Sequence, residues 1–148
     1  MIKDLLEFIY KKKGLLFKPV EQEGKKELLD YFEKIKAPKL PLEYFKLLSL
    51  TDGISFSGIE LYGFQSHDRE IKSYTFPSLK EVNFQYRTMS WSKKLLVLGH
   101  FSEEMIVFNY ELEQFELRDR FDLSLSYAAK DLEEFLREIL IIQIEEIK

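Results

Sequence analysis

A chain of 148 residues, 45% hydrophobic and 32% charged, has the composition of one folded domain spanning 1–148, long enough to bury a single core. It contains no cysteine, which excludes disulfides, thiolate metal sites and cysteine nucleophiles. Its apolar runs are too short to span a bilayer, and its net charge of −4 is a poor match for a phosphate backbone.

In chain order, Leu5, Leu6, Phe8 and Ile9 recur at helical spacing over residues 2–12. Lys11-Lys12-Lys13 suits that helix's C-terminus, and Gly14 is placed to end it. Leu15–Pro19 reads as a short extended link. Leu28, Leu29, Phe32 and Ile35 form the stripe of a second helix over 25–35, stopped at Ala37-Pro38. Pro41 opens a third helix, with Leu42, Tyr44, Phe45, Leu47 and Leu48, and Gly53 is its expected left-handed stop. Residues 54–64 then alternate as one strand, which puts Tyr62 and Phe64 on its outward side.

Residues 65–76 are polar and irregular. Pro77 opens a fourth helix with Leu79, Val82 and Tyr86 inward. Three strand signals follow: Leu95–Phe101, Met105–Tyr110, and Gln114–Phe121, where Phe115, Leu117 and Phe121 oppose Gln114, Glu116, Arg118 and Arg120. Short connections favour antiparallel hairpins. A closing helix begins near Asp131, and its apolar surface spreads around the axis over Ile141–Ile147, which would suit a homodimer as well as a buried helix. Helices flanking a meander give an α+β fold, with an antiparallel sheet of five to six strands.

The charge is unevenly spread. Residues 1–50 hold 11 cations and 8 acids, and the rest hold 11 and 18; within 103–122 there are seven acids and two arginines. Such a surface suits a basic protein partner.

Catalytic patterns are missing. His67 and His100 stand in no metal-ligand spacing. His67-Asp68 with Glu70 could meet a metal by folding, but a solvated loop histidine is the stronger reading. His100 reads more readily as a hydrogen-bonded structural histidine than as a base. Gly24-Lys25 fails as a phosphate loop, because Pro19 stands where glycine is needed and Lys26 where a magnesium-binding hydroxyl belongs. No serine lies in a nucleophile elbow. Leu61-Tyr62-Gly63-Phe64 lacks the basic residue and further aromatics of an RNA-binding sheet motif. No cofactor and no metal site are expected. Trp91, Tyr62, Phe64 and the acidic segment with Glu116, Arg118 and Arg120 stand out instead as candidate partner-binding residues, since aromatic and arginine anchors dominate interface energies.

Leu40-Pro41-x-x-Tyr44-x-x-Leu47-Leu48, then Thr51-Asp52-Gly53, then Gly58-x-x-Leu61-Tyr62-Gly63 resembles the "LPxxYxxLLxxxNG … GxxLYG" block of the SUKH superfamily of Smi/Knr-type proteins. Leu95-x-Val97-Leu98-Gly99, Ile106–Tyr110, Phe115–Arg120 and Leu132–Leu136 follow in an order similar to its bacterial YrhA-like branch, over residues 14–140. Asp52 replaces the usual asparagine, and Leu112-Glu113 stands where Thr-Gly is usual. The resemblance implies a helix-clasped antiparallel sheet and a non-enzymatic protein. Its expected role is an immunity protein that binds a toxin domain, often a nuclease, with an intracellular scaffold or adaptor as the alternative. The opening residues, Met1–Asp4, carry no signal-peptide pattern, so a cytoplasmic location is expected, with no membrane or nucleic-acid partner.

Overall fold

The computed structural model describes residues 2–34, 40–68 and 75–147, with side chains described through Leu140. Helix α1 (Ile2–Lys11) buries Leu5, Leu6 and Ile9. The left-handed position after it is taken by Lys13 (φ 64°), not by Gly14. Gly14 serves close packing instead: a Cβ there would lie 2.4 Å from the Ile9 side chain. Strand β1 (Leu15–Leu16) is the extended link, and α2 (Gln22–Lys34) buries Leu28 and Phe32. Ile35, expected on the same stripe, and the stop at Ala37-Pro38 lie outside the described residues.

Helix α3 (Leu42–Leu48) begins after Pro41, which occupies the cap position. It ends at Ser49, whose N–H reaches the Phe45 and Lys46 carbonyls at 3.2 Å. Gly53 is therefore not its stop. It opens strand β2 (Gly53–Phe56) at φ 128°, with Leu61 O 2.9 Å from where a Cβ would stand. The segment read as one strand is a hairpin of β2 and β3 (Ile59–Tyr62), closed by the pair Phe56 and Ile59. Its two-residue turn, Ser57 (φ 46°) and Gly58 (φ 84°), has the positive φ at both positions that matches strand twist.

A two-strand ladder, β4 (His67–Asp68) with β5 (Thr75–Phe76), lies within the stretch read as irregular. Helix α4 (Leu79–Tyr86) is capped by Ser78, the residue after Pro77. The Ser78 hydroxyl accepts the Glu81 N–H while the Glu81 carboxylate accepts the Ser78 N–H, a capping box. A 3-10 turn spans Ser90–Lys93. Strands β6 (Leu95–Phe101), β7 (Glu104–Asn109), β8 (Gln114–Asp119) and β9 (Leu125–Ala129) and helix α5 (Leu132–Ile147) complete the chain. The expected apolar surface over Ile141–Ile147 lies outside the described side chains.

The main sheet has seven antiparallel strands in the order β1-β2-β3-β6-β7-β8-β9, more than expected from sequence. Against one face, Ile9, Leu136 and Leu140 meet Ile54, Ile59 and Leu61, while Phe135 meets Phe115. Against the other lie α4 and Phe76, the latter packed on the Tyr62 ring. The ladder between β3 and β6 stops at the pair Leu61 and Gly99, which leaves Val97 without a strand partner on that side. The Asn83 side chain replaces it, donating to Val97 O at 2.8 Å and accepting from Val97 N at 2.9 Å. No helix among the described residues is long and apolar enough to cross a membrane.

Candidate functional site

Five of the six residues singled out from sequence are committed inside the domain or against its own surface. Tyr62 is 3% exposed and Phe64 5% exposed, so neither faces outward. Strand parity fails here because both faces of the sheet are covered. The Tyr62 ring packs on Phe76 at 5.2 Å, and Phe64 meets the edge of Phe45. Glu116 is completely buried: its carboxylate accepts from Arg118 Nε (2.7 Å), Gln114 Nε2 (2.6 Å) and Asn109 Nδ2 (3.1 Å). Burial pushes its pKa up, but those hydrogen bonds and the Arg118 charge outweigh it and hold it below the usual carboxylate range. Arg118 spends a second group on the Leu123 carbonyl at 2.8 Å. Trp91 is half-buried against Tyr86.

Arg120 alone of the six is exposed, and it lies over the ring of Phe121, 5.0 Å from the centroid. The alternation over Gln114–Phe121 predicts that Phe121 faces the core with Phe115 and Leu117. It is 75% exposed, because β8 ends at Asp119. The Asp119 carboxylate accepts the N–H groups of Phe121 (2.8 Å) and Asp122 (3.0 Å), and the Asp122 carboxylate accepts that of Ser124 (2.8 Å). These side-chain turns reverse the chain and expel the ring. The Arg-Asp-Arg-Phe-Asp order carried that signal, since aspartates spaced this way favour a turn over a strand.

Three turns meet at this end of the sheet. Ser102 N–H reaches Gly58 O at 3.3 Å, and Arg120 N–H reaches Glu103 O at 3.4 Å. The Ser126 hydroxyl donates to the Glu104 carboxylate. Hydrogen bonds from Ser124 hold Asp122 below the usual aspartate range. The result is an acidic rim of Glu103, Glu104, Asp119 and Asp122 around an exposed arginine–phenylalanine stack, with Leu125 half-exposed beside it. It can seat a basic surface through an aromatic anchor.

The histidines sit elsewhere. His67 is not a solvated loop residue. Its side chain is 19% exposed, its Nε2 lies 2.8 Å from the buried Asp52 carboxylate, and its ring stacks on Phe17 at 4.3 Å. The same carboxylate accepts the N–H groups of Phe64 (2.7 Å) and Gln65 (3.1 Å). Gly63 makes this possible, since a Cβ there would fall 2.4 Å from Asp52 Oδ1. His100 Nδ1 lies 2.7 Å from the Tyr62 hydroxyl, which also donates to Glu60 at 3.0 Å. Burial lowers the His100 pKa; the Glu60 charge opposes this, and the Arg120 charge adds to it. No group of three potential metal ligands converges among the described residues, and Glu70 lies outside them.

No protein-family model matches the chain. No curated protein matches it either.

Proposed function

We propose that this chain is a non-enzymatic protein-binding module, acting as an immunity protein that occludes a basic toxin domain with the acidic end of its sheet. The exposed Arg120–Phe121 stack inside the acidic rim carries this reading. A 75% exposed phenylalanine held outward by two aspartate turns contributes little to the domain's own core and is placed to anchor a partner. The carboxylates around it favour a partner of opposite charge and speed the encounter.

Co-expression with the toxin domain encoded beside it tests the proposal. The pair should co-purify and the host should survive. Phe121→Ala and Arg120→Ala should each weaken the complex by about 2 kcal/mol while thermal unfolding of the free domain stays unchanged. A complex indifferent to both substitutions would place the binding face elsewhere. If no neighbouring toxin binds and the host is unprotected, the adaptor reading takes its place.

A further inference from the structure

The two edges of the main sheet are finished differently. At one, β1 is two residues long and α1 packs against it. At the other, β9 offers five residues, Leu125-Ser126-Tyr127-Ala128-Ala129, with no charge and no proline among them. Sheet edges are usually blunted by shortness, charge, proline or a covering element, because an open edge accepts another strand. The register shows which main-chain groups β9 leaves open. The Asp119 N–H points to the β9 side, reaching the Ser124 carbonyl at 2.9 Å. Main-chain direction alternates along a strand, so Leu117 and Phe115 also face β9 and bond their partners Tyr127 and Ala129. Ala128 lies between those two and turns its N–H and C=O away from the sheet. Among the described residues, no main-chain bond outside the ladders reaches 125–129.

The uncommitted charges beside this edge are acidic. Tyr127 stacks on Phe135 of α5 at 5.7 Å, and burial, then the charges of Glu134 and Glu138, raises its pKa. Both carboxylates are exposed and have no ion pair among the described residues. The cations nearby are already engaged: Lys130 donates to the Leu112 carbonyl at 2.7 Å, and Arg137 to the Glu133 carboxylate at 3.1 Å. A second copy paired edge to edge about a two-fold axis would set these carboxylates against their own counterparts. A strand carrying cations meets them instead.

We propose that β9 takes up an extended segment of a partner protein as a further strand of the sheet. The segment bonds the outward N–H and C=O of Ala128 and carries lysine or arginine toward Glu134 and Glu138. This goes beyond the function proposed above: it uses neither Arg120 nor Phe121, and a peptide tests it without the toxin domain.

The test is fluorescence anisotropy with a labelled octapeptide of alternating lysine and threonine, against its glutamate–threonine counterpart. The lysine peptide should bind and the glutamate peptide should not. Glu134→Gln with Glu138→Gln should weaken binding about fivefold, as expected for two exposed charges. Glu21→Gln with Glu23→Gln, at the start of α2, removes the same charge and should leave binding unchanged. Ala128→Pro deletes the outward N–H and should weaken binding about tenfold, with circular dichroism and thermal unfolding showing a folded domain. Hydrogen exchange of the unaltered chain needs no variant. The Ala128 amide should exchange fast in the free domain and slow down with saturating lysine peptide, while Tyr127 and Ala129 are slow in both. The proposal is overturned if the lysine peptide does not bind, if the Ala128 amide is not slowed by it, or if the α2 pair weakens binding as much as the α5 pair. An Ala128 amide already slow in the free domain, with a dimeric solution mass, would give the edge to a second copy and overturn it too.

Discussion

Two buried polar side chains, Tyr44 and Asp52, tie the 40–64 stretch together. The Tyr44 hydroxyl, fully buried in α3, donates to the Tyr62 carbonyl, with the Leu98 carbonyl 3.3 Å away. Burial, then the Asp52 charge, raises its pKa well above the usual tyrosine value, so it remains a donor. Asp52 plays the complementary part, accepting from two backbone N–H groups and His67. Tyr44→Phe should destabilise by about 1–2 kcal/mol, and Asp52→Ala by roughly 3 kcal/mol or more, because each strands buried partners. Urea unfolding of both variants measures this. An Asp52→Ala variant as stable as the parent would show that the 63–67 loop does not depend on the carboxylate.

Among the elements, α4 is attached to the sheet by an unusual joint. Asn83 stands in for a strand along Val97, satisfying an N–H and a C=O that the β3 ladder does not reach. Asn83→Ala removes both partners at once and should cost about 2 kcal/mol. Hydrogen exchange at Val97 should accelerate well beyond the change in global stability, and unchanged protection there would refute the role. Element types were largely legible from periodicity: α1 and the β6–β7–β8 meander follow their apolar spacing closely. The β2–β3 hairpin was not, because Ser-Gly at 57–58 lies inside an unbroken alternation and hides the reversal. Strand β9 was missed because Leu125-Ser126-Tyr127-Ala128-Ala129 has no clean alternation; its ladder to β8 shifts register between Leu117 and Arg118.

Over the whole molecule, two internal groups make stability depend on pH in the same direction. His100 has a folded pKa below its unfolded value of roughly 6.5. The unfolded chain therefore takes up its proton first, and stability falls as pH drops below that value. Glu116 has a depressed folded pKa, so its contribution is complete above an unfolded value of roughly 4.3 and is lost as pH falls through the folded one. Denaturant midpoints should therefore decline in two stages on acidification. His100→Gln should abolish the upper stage and Glu116→Gln the lower; a parent with one flat midpoint from pH 7.5 to 4 would contradict the first.

The amino-acid sequence by itself determined the α+β class, the helices and the central meander, because apolar spacing and helix-terminal residues act locally. It also showed where charge concentrates. Only the tertiary structure decided which polar and aromatic residues are available to a partner. Glu116, Tyr62 and Phe64 look equally surface-like in a strand pattern, yet a second covered face and an internal arginine bury them. Phe121 looks like core, yet two aspartates accepting backbone N–H groups turn it into solvent. Exposure depends on what packs against an element from elsewhere in the chain, and periodicity within the element carries no record of that.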